Sequence, residues 1–171
     1  MRHSRGVVQT VGTSGPNCDM LDPALDNHYD HAVSRLAEAD GDLARLEVPL
    51  QTLLMVESAQ AIIESGGLAY FYEADFPNNP PYEDFVAAYR RIGAESAASC
   101  IEDSAALFPF AEPHLFAPLR ELWLERMAAD PAHVFHRLSD RICHDESVWR
   151  LLTDYVGRHG HAFPTPGRTA N

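Results

Sequence analysis

Apolar residues recur along most of this chain at three- and four-residue steps, the spacing that places side chains on one face of a helix. Asp22 as a cap and Pro23 at the first helical position open a segment carrying Leu25, Tyr29, Ala32, Val33 and Leu36 inward, which predicts a helix over 22–38. Pro49 opens a second helix with Leu50, Leu53, Leu54, Ile62 and Ile63 inward, and Gly66-Gly67 ends it as a left-handed cap would. A short aromatic helix follows over 68–74. Asn79-Pro80-Pro81 is a cap and start signal for the stripe Tyr82, Phe85, Val86 and Tyr89, which Gly93 stops.

The next stripe is Ala94, Ala97, Ala98, Ile101, Ala105 and Phe108, rich in small residues that allow close helix packing. Pro109 and Pro113 punctuate its exit. Leu119, Leu122, Trp123 and Met127 define a further helix, and Asp130-Pro131 restarts the chain with Phe135, Leu138 and Ile142 inward. Val148, Leu151, Leu152, Tyr155 and Val156 mark the last amphipathic helix, which ends near Gly157 or Gly160. Val7 to Val11 is the one alternating stretch, and it is isolated. The expectation is an all-α, compact single domain of about seven short helices. It spans 21–163, between a flexible leader (1–20) and a flexible tail (164–171) that lack a packing face. Met20 reads as a natural start.

Composition narrows the function. No apolar run approaches the ~18 residues needed to span a bilayer, Val7 to Val11 is too short for a signal-peptide core, and the expected location is cytoplasmic. Cys18, Cys100 and Cys143 form no C-x-x-C pair and cannot all pair within one chain, so reduced thiols are expected. The formal charge is −12 from 13 basic and 25 acidic residues, and every basic residue is arginine. From Asp19 to Asp84 there are 14 acids against Arg35 and Arg45, a balance of −12, whereas the remainder is nearly neutral. Such a field repels nucleic acid and anionic lipid and favours encounter with basic partners, provided that the acids cluster in space.

Catalytic signatures are absent: there is no G-x-S-x-G, no phosphate loop and no H-E-x-x-H, and without lysine neither Schiff-base chemistry nor a phosphate-loop lysine is available. His28-x-x-His31 and His133-x-x-His136 each place two imidazoles on one helix face. Asp22, Asp26 or Asp30 could join the first pair, and Asp140 or His144 the second, but a closed metal site needs three or four convergent ligands and incidental surface histidines explain the same letters. His159 and His161 read as partners of a helix C-terminus. Acid pairs such as Glu73 with Asp75, or Glu102 with Asp103, read as solvated faces. No cofactor and no resident metal are expected.

One segment stands out, Glu64-Ser65-Gly66-Gly67-Leu68-Ala69-Tyr70-Phe71-Tyr72-Glu73, where a helix stop runs into three consecutive aromatics. One helix cannot bury all three on one side, so at least one packs against a separate element or reaches the surface, where aromatics anchor partners.

Glu57, Gly66-Gly67, Tyr70-Phe71, Ile92-Gly93-Ala94, Leu107-Phe108, Asp140-Arg141 and Tyr155-Val156, in that order, resemble the pattern of the DNA-mimic-protein-like helical domain family, a bacterial domain of unknown function. The resemblance runs from about Val48 to Phe163. Ser65 stands where the family usually has Asn, and Leu68 where it usually has Phe. The resemblance implies an acidic helical protein that imitates double-stranded DNA, acts as a dimer and occupies a DNA-binding regulator. Independently, Asp22, Asp26 and Asp30 at i, i+4 and i+8 form a row of carboxylates ~6 Å apart along a helix, the kind of array a phosphate-reading protein engages.

The expected function is therefore a binding module and not an enzyme: an acidic protein whose partner is a basic, DNA-binding protein. Asp22, Asp26, Asp30, Glu64, Tyr70, Tyr72, Glu73 and Asp75 are the candidate contacts. The alternatives are a metal protein or enzyme using the His/Asp clusters, and an immunity-type partner of a neighbouring protein.

Overall fold

The computed structural model describes residues 23–163, in which the helical spacing resolves into seven α-helices joined by short turns. They are α1 (Pro23–Glu38), α2 (Val48–Glu73), α3 (Tyr82–Ile92), α4 (Glu95–Ala105), α5 (Ala117–Ala129), α6 (Val134–Cys143) and α7 (Ser147–Arg158). No strand occurs among the described residues, and none of their helices is long and apolar enough to cross a membrane. The expected leader and tail, the Asp22 cap and Cys18 lie outside the described residues.

α2 is the axis of the domain and packs against α1, α3, α5, α6 and α7. A helix enclosed on so many sides must be apolar nearly all round. Leu50, Leu53, Leu54, Met55 and Val56 are accordingly all buried within two turns. Polar groups drawn into this core find partners: the Tyr89 hydroxyl donates to Gln60 Oε1 at 3.0 Å, and both residues are sealed from solvent.

Gly66-Gly67 breaks α2 at the predicted place, but not as a left-handed cap. Gly66 has φ −162° and ψ 19°, while Gly67 has φ 73° and ψ −169°, a conformation essentially confined to glycine. The freed Leu68 amide donates to Ser139 Oγ on α6 at 2.9 Å, and a Cβ on Gly67 would overlap that same oxygen. The turn swings Leu68, Phe71 and Tyr72 into the core and leaves Tyr70 at the surface, 54% exposed. Phe71 packs edge-on against Tyr72 and Phe85, and Tyr72 meets Tyr82 and Phe108 in the same way.

Several local expectations differ from what forms. Val33 is 42% exposed, because α1 meets α2 through Leu25, Ala32 and Ala39 with Tyr29 and Leu36 beside them, a face that Val33 flanks. α5 is turned so that Arg120, Leu124 and Met127 face inward, leaving Leu119 and Leu122 exposed where an apolar stripe was expected. The Asn79 side chain does not cap α3; its amide donates to the His114 carbonyl across the fold. α6 begins at Val134, not at Asp130-Pro131, and is capped by His133 Nδ1, which accepts from the Phe135 amide. Gly93 stops α3 as expected, in a left-handed conformation with φ 89°.

Replacing Gly67 by Ala should cost about 3 kcal/mol of stability in a urea titration, since strain and overlap with Ser139 act together. Replacing exposed Ala61, one turn and a half before the break, by Ser should change stability by less than about 0.7 kcal/mol. Equal loss at both sites would remove the special status of the break.

Candidate partner-binding surface

α1 lies along α2 so that the expected acidic row meets a third acid from the other helix. Asp26 and Asp30 are exposed on α1, one turn and ~6 Å apart along its axis. Asp22, the expected first member of the row, lies outside the described residues. Beneath them Glu57 projects from α2, half-buried beside Tyr29, whose hydroxyl is 3.2 Å from Ser58 Oγ. Burial pushes the Glu57 carboxyl up to about 7, and the charges of Asp26 and Asp30 push in the same direction while the Tyr29 hydroxyl pulls back. Burial likewise raises the Tyr29 phenol. Among the described residues no ion pair neutralises Asp26, Asp30 or Glu57; the arginines of this half engage Glu38 and Asp40 instead.

The remaining candidates occupy other parts of α2. Glu64 is exposed and accepts from the Trp149 indole at 2.6 Å and from Gln60 Nε2 at 3.2 Å. Tyr70 stands out from the break with its ring lying over Gly66. Glu73 is exposed at the helix end, where it shares a shallow hollow with Glu121 and Glu125 of α5. Asp75 is exposed just beyond.

Tyr72 is the exception and corrects the sequence reading. It is completely buried, its hydroxyl 2.6 Å from Ser104 Oγ and donating to the Ile101 carbonyl at 3.2 Å, and burial drives its phenol far above the ordinary range. It holds α2 to α4 and offers a partner nothing.

Glu57, Glu121 and Glu125 were not among the expected contacts. Glu57 had a legible signal: it directly follows the apolar run Leu53 to Val56 and stands one turn from Leu53, which marks it as a carboxyl drawn toward the core. The meeting of Glu73 with Glu121 and Glu125 depends on how α5 is rotated and has no local signal. Among the described residues neither histidine pair assembles a centre: His28 packs edge-on against Phe163, 5.2 Å between ring centres, and His133 is spent on the α6 cap. Among the described residues no three His, Cys, Asp or Glu side chains are grouped to hold a metal ion.

A small all-α acidic domain organised around one broken central helix is the class that fold and surface define. The chain belongs to the family of DMP19-like proteins, whose sequence pattern matches residues 44–159. That span takes in α2 to α7 and omits α1, so Glu57, Glu64 and Glu73 lie inside the family match whereas Asp26 and Asp30 lie outside it. Comparison with curated proteins and with solved structures gives no match.

Glu57 supplies a pH test. In the unfolded chain the carboxyl titrates near 4.5 and in the fold near 7, so the fold retains a proton that the unfolded chain has released between these values. Wild-type stability should therefore fall as pH rises from 4.5 through 7 and level off above, relative to the Glu57→Gln variant. At pH 8 the variant should be the more stable by about 1–2 kcal/mol, the carboxyl being only half-buried. Parallel stability curves for the two proteins between pH 4 and 8 would show that Glu57 is not held in this environment.

Proposed function

We propose that this protein is an acidic binding module that presents carboxylates to a basic, DNA-binding protein and so competes with duplex DNA for it. The observation that supports this reading best is the convergence of Asp26, Asp30 and Glu57 from two helices: the charges of Asp26 and Asp30 add to burial in raising the Glu57 carboxyl, and among the described residues no arginine pairs with any of the three. An acidic cluster of this kind raises the free energy of the isolated protein, and a cation supplied by a partner relieves it. Family membership supports the same role, with α1 adding carboxylates beside Glu57, which lies inside the family match. Tyr70, an exposed aromatic on the same central helix, supplies a candidate apolar anchor. Binding, without catalysis and without direct contact to nucleic acid, is the activity assigned in this proposal.

Immobilised protein should retain a basic protein from nuclease-treated lysate of the source cell, and added duplex DNA should release it. Affinity for that captured protein should fall steeply between 50 mM and 300 mM salt, because exposed charges are screened over ~8 Å at physiological ionic strength. The double variant Asp26→Asn/Asp30→Asn should fold with nearly unchanged stability, bind about tenfold more weakly at low salt and show a shallower salt dependence. A captured partner that DNA does not displace sinks the mimic reading. Undiminished binding by the double variant would shift the contact to Glu64, Tyr70 and Glu73.

A further inference from the structure

Apart from the acidic face, a half-open groove of about 1000 Å³ runs between α3 and the segment that joins α4 to α5. Val86, Ala105, Phe108 and Phe110 make its walls, and Tyr82 and His114, both buried, lie at its inner end. Arg120 of α5 adjoins this inner end. It is 4% exposed, and its Nη1 donates to the carbonyls of Pro113 and His114, both groove residues, at 2.9 and 3.2 Å. Its Nε is buried without a hydrogen-bond partner, and no carboxylate pairs with it among the described residues.

A guanidinium stays charged when buried, and a buried charge normally has a counter-charge. In a chain with 25 acids, leaving this arginine without one is a marked departure from that rule. The carboxylates around the groove do not reach inward to supply it: Glu102 is engaged by Arg90 at 2.7 Å, and Glu83 and Glu112 are exposed at the edge. Tyr82 lies between the groove and Arg120. Its phenol is pushed up to about 12 by burial even though the charge of Arg120 and a hydrogen bond from it pull it down, so at neutral pH it remains an O–H donor. Apolar walls with a few convergent donors at one end are the usual form of a small-molecule site.

We propose that this groove binds a small aromatic carboxylate, its ring between Val86 and the two phenylalanines and its carboxyl group at the Tyr82–His114 end, in the field of Arg120. On a protein of charge −12 the long-range field opposes any anion, so a preference for the acid over its neutral amide reports a cation at the groove, the buried Arg120 or the exposed Arg91 that also lines it, and salt dependence separates the two because only the exposed one is screened.

The test is calorimetry with 2-naphthylacetate and with 2-naphthylacetamide at low and moderate salt. The carboxylate should bind at one site per chain, at least about tenfold more tightly than the amide, and without the salt weakening expected of a surface ion contact. Ala87→Trp, which places an indole in the groove from α3 without touching Arg120, should abolish binding of both. Arg120→Gln, if folded, should bind acid and amide alike; should it not fold, Arg91→Gln, an exposed groove arginine, should leave the preference for the acid unchanged, and loss of that preference in Arg91→Gln would overturn the proposal. Equal affinity for acid and amide, unchanged binding by Ala87→Trp, or no binding at about 5 mM would each overturn the proposal.

Discussion

Gly67 sits against Ser139 with no room for a side chain, and the amide it releases, that of Leu68, is taken up by the same hydroxyl. Without that contact α2 would run on as one straight rod, and its second half would carry Phe71 and Tyr72 around the helix instead of into the centre. The break re-aims one turn of helix so that the two aromatics meet α3, α4 and α6, and the rest of the core assembles on them. Tyr72 is bonded to Ser104 of α4, and Phe71 packs on Phe85 of α3. A single hydroxyl on α6 thereby settles both the course of the central helix and the packing of the helices around it.

The same break divides the acids of α2. Glu57 and Glu64 precede it, the first under α1 and the second beside α7, whereas Glu73 follows it and joins the carboxylates of α5. A straight helix would set these groups on one rod; the broken one distributes them over separate sides of the domain. Acids without an ion pair among the described residues meet where α1 packs on α2 and again where Glu73 meets α5, and α1 lies outside the residues matched by the family. The crowding at Glu57 thus joins a residue inside the family match to two on a helix outside it.

Much of the fold was legible because it depends on local spacing. Phe85, Val86 and Tyr89 on α3, and Val148, Leu152, Tyr155 and Val156 on α7, occupy the positions that a single buried face requires. The glycine break was legible too, though glycine alone did not say which positive-φ conformation it adopts. The misreadings fall where a helix has two apolar sides or where polar residues are enclosed. α5 carries Leu119 and Leu122 on one side and Leu124 and Met127 on another, and only the packing against α2 and α6 decides between them. Tyr72 was assigned to the surface because three aromatics in a row cannot all be buried by one helix; the structure buries two of them because several helices converge on the break. Arg120 is a charged side chain drawn inward by its neighbours, and charge by itself reads as exposure.

The bond between the Trp149 indole and Glu64 gives the molecule an optical property. Indole emission responds to charge held at the pyrrole nitrogen, and here that charge belongs to an exposed carboxylate on the acidic half. The other tryptophan, Trp123, lies on α5 beneath the Arg126 guanidinium, 4.7 Å from its ring centre, and senses a cation instead. The two chromophores therefore each touch a charge of opposite sign, and a change at either face acts on a different indole.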